Sequence, residues 1–249
     1  MIIAANWKMN LTADEARDLA AFYADLAIKS SGHHCDVLVF APALYAGIIS
    51  DAASDSQLGW GGQSGHHLEK GAHTGDISAP MFASLGAKWM LAGHSERRQY
   101  HHETDAQIAA QLALAQGADM NVILCVGETL AQRQAGTAAD VICQQLQDGL
   151  NQNQNWDSIV IAYEPVWAIG TGQVASLADI SDMHQIIIDF IADNLKASQK
   201  PPILYGGSVK ADNASQILAL DNVDGALIGG ASLLQEQMTS IHKSALEIG

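Results

Sequence analysis

Short apolar runs alternate with helix-spaced segments along this whole chain, and there are eight of them. They fall at residues 2–8, 36–41, 57–62, 88–92, 121–126, 159–163, 203–206 and 226–229. Several are almost wholly apolar, as a strand is when both its faces are covered. Thr12 and Glu15 make the pattern of a capping box, and the helix after it runs towards Lys29. Another helix spans 105–116 and ends at Gly117, a residue suited to the turn that closes a helix. Further helices are expected over 137–150, over 176–197 and from near Ser232. In the second of these, Ile180, Met183, Ile187, Phe190 and Ile191 recur at near-helical spacing. Regular alternation of strand and helix implies a parallel α/β fold. A doubly wound sheet has the same pattern, but eight units in 249 residues favour a single (β/α)8 barrel. No Pro/Gly/Ser-rich linker interrupts the chain, so residues 1–249 are expected to form one domain.

Charge narrows the function classes. Acids outnumber bases 27 to 12, giving a net charge of −15. Nucleic acids and acidic membranes are therefore poor partners. A phosphorylated ligand would need local positive charge, for which Lys8, Lys210, Arg97 and Arg98 are the candidates. Cys35, Cys125 and Cys143 are too few and scattered for a disulfide framework or a zinc motif, so reduced thiols in a cytoplasmic protein are expected. The N-terminus does not read as a signal peptide, and no run is long and apolar enough to span a membrane. The pairs His33-His34, His66-His67 and His101-His102 attract attention as metal ligands. Adjacent histidines do not share a face of a helix or strand, and no carboxylate lies at a recognisable ligand spacing, so no metal is expected.

In a parallel barrel the chemistry collects at the carboxyl ends of the strands. Asn6, Lys8 and Asn10 follow the first run; Gly93, His94, Ser95 and Glu96 follow the fourth. Glu164 ends the sixth, and Pro165 after it biases Glu164 away from helix. Gly206, Gly207 and Ser208 follow the seventh, Gly229 and Gly230 the eighth. Each has a bland reading as a rim charge, a loop histidine or a simple turn. Together they place an amine, an imidazole, a carboxylate and two glycine turns at one rim. Glycine amides there allow close approach of an anion. The stretch from Gly170 to Ala175 mimics a dinucleotide fingerprint but does not directly follow its strand, so it closes a loop instead.

Six ordered blocks carry a resemblance to the triosephosphate isomerase family. They are Asn6-Trp7-Lys8-Met9-Asn10, Gly93-His94-Ser95-Glu96-Arg97-Arg98, Cys125-Val126-Gly127-Glu128, the stretch from Tyr163 to Gly172, Tyr205-Gly206-Gly207-Ser208-Val209-Lys210, and Gly229-Gly230. The resemblance implies a TIM barrel and a cytoplasmic homodimer of glycolysis and gluconeogenesis, acting on triose phosphate without metal or organic cofactor. It makes Glu164 the base that moves a proton between C1 and C2. His94 becomes the neutral electrophile, its pKa lowered by the positive end of a short helix opening at Ser95. That family is also a standard illustration of pKa tuning. Lys8 supplies positive charge, Asn6 orients it, and Glu96 organises the site. The amides of Gly170, Ser208, Gly229 and Gly230 would hold phosphate, and a lid over 165–175 would exclude water.

The segment from Gln63 to Asp76 resembles the family's intersubunit loop, but Ser64 replaces the usual asparagine. His73 stands where an aromatic is common, and Asp76 where glutamate is. His101-His102 stands in place of phenylalanine and glycine. These departures bear on the dimer, and a pH-sensitive interface involving His73 is one expectation. Two other readings stay open here. One is a Schiff-base aldolase, for which only Lys8 lies near a suitable mouth. The other is a catalytically silent binding barrel.

Overall fold

The computed structural model describes residues 1–150, 155–169, 174–195, 197 and 199–248. Eight parallel strands close into a barrel in sequence order. They are β1 (Ile2–Asn6), β2 (Asp36–Ala41), β3 (Gly59–Gly62), β4 (Trp89–Ala92), β5 (Asn121–Val126), β6 (Ile159–Tyr163), β7 (Ile203–Tyr205) and β8 (Gly225–Ile228). β8 pairs back onto β1, with Ala226 opposite Ile3 and Ile228 opposite Ala5. The helices between strands are α1 (Ala13–Lys29), α2 (Ala46–Ala53), α3 (Ala79–Ser84), α4 (Ser95–Tyr100), α5 (Asp105–Gly117), α6 (Leu130–Gln134), α7 (Ala138–Leu150), α8 (Leu177–Phe190), α9 (Ala214–Leu218) and α10 (Gln235–Ile248).

The strands look uniformly apolar because each is buried twice. Ile2, Ala4, Leu38, Phe40, Leu91, Ile123, Cys125, Val160, Ala162, Leu204 and Leu227 pack as one inner cluster. The alternate residues, such as Ile3, Ala5, Val37 and Val39, join the larger layer beneath the helices. Each large side chain so buried contributes about 1.5–3 kcal/mol. Side chains repeat every second residue, so the inner face can be counted forward to the rim. Asn6 continues Ile2 and Ala4; Glu164 continues Val160 and Ala162; Gly229 continues Leu227.

The structure moves several boundaries. β1 stops at Asn6 rather than Lys8, because Lys8 takes a left-handed φ of 51° that no strand accommodates. The long helix over 176–197 is regular only to Phe190 and widens into a π turn over Ile191–Leu195. The last helix begins at Gln235, after a 3-10 turn over Gly230–Leu233. The capping box at Thr12 and Glu15 is present in full.

Two glycines test this packing in opposite directions. A Cβ on Gly61 would sit 1.7 Å from the Trp89 backbone oxygen, whereas one on Gly47, in exposed α2, meets nothing within 4 Å. Gly61→Ala is expected to lower stability by about 3 kcal/mol or more. Gly47→Ala is expected to raise it by roughly 0.5 kcal/mol through lost unfolded-chain freedom. Urea denaturation of both variants checks the pair.

Candidate active site

A cavity of about 580 Å³ opens at the carboxyl end of the barrel. Asn6, Lys8, His94, Glu96, Glu164, Ser208, Gly229 and Gly230 all line it. Gly170 lies outside the described residues. Of the four candidate cations, Lys8 and Lys210 reach this cavity. The two arginines do not. Arg97 pairs with Glu103 at 2.6 Å, and Arg98 binds Asp105 at 2.5 Å and the carbonyl oxygen of Gly93 at 2.7 Å.

Glu164 is 2 % exposed, and burying a carboxylate is costly unless its oxygens are satisfied. Here both are. The Ser95 amide donates to Oε2 at 2.9 Å, and His94 Nε2 lies 3.0 Å from Oε1. Two glycines make room for it. A Cβ on Gly206 would lie 2.9 Å from Glu164 Cγ, and one on Gly127 would lie 1.8 Å from the Glu164 backbone oxygen. Gln145 grips Gly127 with both ends of its side-chain amide, accepting from the backbone N–H at 2.9 Å and donating to the carbonyl at 3.0 Å.

α4 opens at Ser95, and His94 occupies its N-cap, where Nδ1 accepts from the Glu96 amide at 3.3 Å. That bond leaves Nδ1 without a proton and places the ring hydrogen on Nε2, facing Glu164. The expectation of a lowered His94 pKa needs correction for this arrangement. Burial is the largest single influence and does lower it, but the charge and hydrogen bond of Glu164 outweigh burial and raise the net value above 6.5. Burial likewise raises Glu164, yet His94, the Ser95 amide and Lys8 together hold it below 4.5. The helix terminus alone was visible in the sequence; the direct contact across the rim was not.

Lys8 is clamped through its backbone. Its N–H donates to Asn6 Oδ1 at 3.0 Å, and Gln63 Nε2 donates to its carbonyl at 2.9 Å. Gln63 also reaches Asn6 Oδ1 at 3.2 Å and the Phe40 carbonyl at 3.0 Å, a bracing role that nothing in its sequence context signals. These bonds hold the left-handed conformation that aims Lys8. Its Nζ contacts Glu96 Oε1 at 2.6 Å, which fixes the amine at the wall of the cavity. Beside Lys8, Gly229 could not carry a side chain freely, since a Cβ would meet Lys8 Cε at 3.1 Å. Ile169, from the segment expected to form the lid, also lines the cavity, as do Leu234 and Gln237, which their sequence positions do not mark.

Behind the site, Glu128 is fully buried and accepts from Trp167 Nε1 at 2.7 Å and Tyr163 Oη at 3.2 Å. Arg133 lies 3.4 Å from it, pairs with Asp179 and stacks 4.7 Å above the Trp167 ring. Ser208 Oγ donates to the Ala168 carbonyl at 2.9 Å. The chain just after Glu164 is thus tied to both neighbouring loops.

A closed parallel barrel with a buried carboxylate, an imidazole and an ammonium around one rim cavity defines a barrel enzyme equipped for proton transfer. The comparisons with known proteins agree with this class. A family model described as "Triosephosphate isomerase" matches residues 1–245. The "Triosephosphate isomerase" of Ruegeria pomeroyi is 44% identical over 251 residues, covering 99% of this chain and 97% of that protein. The protein of the same name from Caulobacter vibrioides is 42% identical over 244 residues, covering 96% and 94%. That from Hahella chejuensis is 42% identical over 247 residues, covering 99% and 98%. The chain belongs to the triosephosphate isomerase family, and it is an isomerase.

The His94–Glu164 contact has a measurable sign. In the free protein His94 titrates above 6.5; in Glu164→Gln, burial and Lys8 outweigh Glu96, and it should titrate below 6.5. NMR titration of the imidazole nitrogens reads this directly. An unmoved His94 would contradict the contact.

Proposed function

We propose that this chain interconverts dihydroxyacetone phosphate and D-glyceraldehyde 3-phosphate through an enediolate, in glycolysis and gluconeogenesis. The observation that carries the reading is the convergence of Glu164, His94 and Lys8 on one cavity, within a chain of this family. When substrate enters, one of its oxygens takes the Nε2 hydrogen of His94 in place of Glu164. The freed carboxylate leaves Ser95, turns to C1 and removes a proton. The electron pair moves onto the C2 oxygen, where the Nε2–H of His94 and the charge of Lys8 stabilise it. The hydroxyl proton of O1 passes to O2 across the imidazole, and Glu164 returns its proton to C2. No atoms are gained or lost, as isomerisation requires.

Each remaining group supports that step. Glu96 fixes the Lys8 ammonium, and Asn6 fixes its backbone. Ser208, Gly229 and Gly230, with Gly170, offer amides to the phosphate, and Lys210 adds positive charge nearby. The segment 165–175 acts as a lid that keeps water from the enediolate. Proton transfer by side chains and charge stabilisation by fixed donors need neither metal nor organic cofactor. We further propose that residues 1–249 work as one domain in a cytoplasmic homodimer, joined through the loop at 63–76. No helix among the described residues is long and apolar enough to cross a membrane, which fits that location.

A coupled assay of glyceraldehyde 3-phosphate conversion tests the reading. Wild type should turn over rapidly, and Glu164→Asp should lose about 10²-fold or more in kcat, because a shorter acid is misplaced. Lys8→Met should lose at least as much in kcat/KM while the fold persists by circular dichroism. A folded wild type without turnover would overturn the proposal. Sedimentation separately tests the homodimer, and a monomer at micromolar concentration would refute that part alone.

A further inference from the structure

The rim of β5 holds the base through its backbone. Tyr163 pairs with Val126 where β6 runs beside β5, and the pairing continues past the strand ends. The Glu164 amide donates to the Val126 carbonyl at 2.7 Å, and the Val166 amide donates to the Glu128 carbonyl at 3.1 Å. Between these two bonds stands Gly127. A Cβ there would lie 1.8 Å from the Glu164 backbone oxygen and 3.3 Å from the Glu164 Cβ, so no gap separates the two residues. Close packing of this kind passes a shift of Gly127 straight to Glu164. The flank of this segment is open, however. Ser95, Gly127, Gln145, Glu164 and Val166 are among the residues lining a cavity of about 290 Å³. Space beside a loop leaves it room to relax, so a bond must do what packing does not.

Gln145 supplies that bond from α7. Ile142 and Leu146 are fully buried, and a Cβ on Gly149 would meet Leu124 Cδ2 at 3.3 Å, so α7 lies close against β5. Gln145 sits one turn before Gly149 and therefore on the same face. The helix runs back against the strand direction, which puts Gln145 nearer the catalytic rim. One planar amide carries both a donor and an acceptor, and Gln145 uses both on Gly127, at 3.0 Å and 2.9 Å. The peptide that gives its N–H to Gln145 is the one whose carbonyl, on Val126, takes the Glu164 amide. A peptide unit is rigid, so rotating it would break both bonds at once.

We propose that Gln145 is a positioning residue for the proton transfer: it fixes the Val126–Gly127 peptide, and through it the backbone from which Glu164 reaches C1 of the substrate. The role in turnover rests on the isomerase reading; the effect on the placement of Glu164 does not. Gln145 does not line the catalytic cavity, so it acts through Glu164 and never on the substrate. The resting carboxylate is held by the Ser95 amide and by His94, and both contacts are given up before it reacts. In that interval the backbone is what locates the base. A loose backbone therefore lowers turnover, while the amides that would hold phosphate lie on other loops and keep substrate binding intact.

Gln145→Met keeps the length of the side chain and removes both bonds; Gln145→Leu, a second apolar replacement, guards against one variant failing to fold. Gln144→Met is the control, since Gln144 is exposed and reaches only along its own helix to Asp148 at 2.8 Å. Steady-state conversion of glyceraldehyde 3-phosphate should show kcat lowered about tenfold or more in the Gln145 variants, with KM within about twofold of wild type. Gln144→Met should match wild type. NMR titration of His94 is a second readout that needs no turnover. Glu164 holds that titration above 6.5, so it should fall in the Gln145 variants and stay in Gln144→Met. A purely structural role would lower the urea midpoint and move neither readout. Wild-type kcat in a folded Gln145 variant, a loss confined to KM, or an unmoved His94 would each overturn the proposal. A wild type without turnover defeats the isomerase reading instead, and the His94 titration then decides alone whether Gln145 places Glu164.

Discussion

A strand in a closed barrel has no face left for water, and the catalytic geometry follows from where that restriction ends. Along β1, β6 and β8 the inward positions stay apolar until the carboxyl rim, and there the same two-residue count delivers Asn6, Glu164 and Gly229. No separate scaffold is needed to converge them. Ring closure alone brings residues far apart in sequence within hydrogen-bond reach, as with Ser95 and Glu164. His94 arrives differently. Gly93 turns at a φ of 72°, and the next residue swings into the cap of α4, where it lines the catalytic cavity.

The cost of burying Glu164 is met by the groups that later act with it. An imidazole, an amide and a nearby ammonium hold the carboxylate ionised where burial alone would neutralise it. The contacts are few and replaceable, so a substrate oxygen can take over the His94 hydrogen and release the base. Glu128 shows the contrasting solution. It too is buried, but an indole, a phenol and a guanidinium close around it, and it serves to fix the chain rather than to react.

Much of this is legible in the sequence, for identifiable reasons. Long helices announce themselves, α1 through its capping box and α8 through its apolar period, whereas Gly117, expected just past α5, is its last residue; strands show as continuous apolar runs. The short helices α2, α3, α6 and α9 have too few residues to show a period, and α4 is marked only by the residues around His94. The rim residues could be named because they follow strands, but their mutual contacts could not. The upward pull of Glu164 on His94 depends on a 3.0 Å approach across two strands, which no linear spacing encodes. Gln63 escapes notice for the same reason, since its three bonds reach two distant segments, the end of β1 and the end of β2.

Lys8 occupies backbone territory that lysine avoids, at a cost of about 1–3 kcal/mol. Glycine would sit there at ease, but it would bring no ammonium to the cavity. The position is thus a place where folding and chemistry vote differently. Libraries of this chain sorted only for heat resistance would drift towards glycine at residue 8, while libraries sorted for growth on a sugar would retain lysine. Divergence between those two outcomes would measure, at one site, how much conformational comfort the lineage surrenders for turnover.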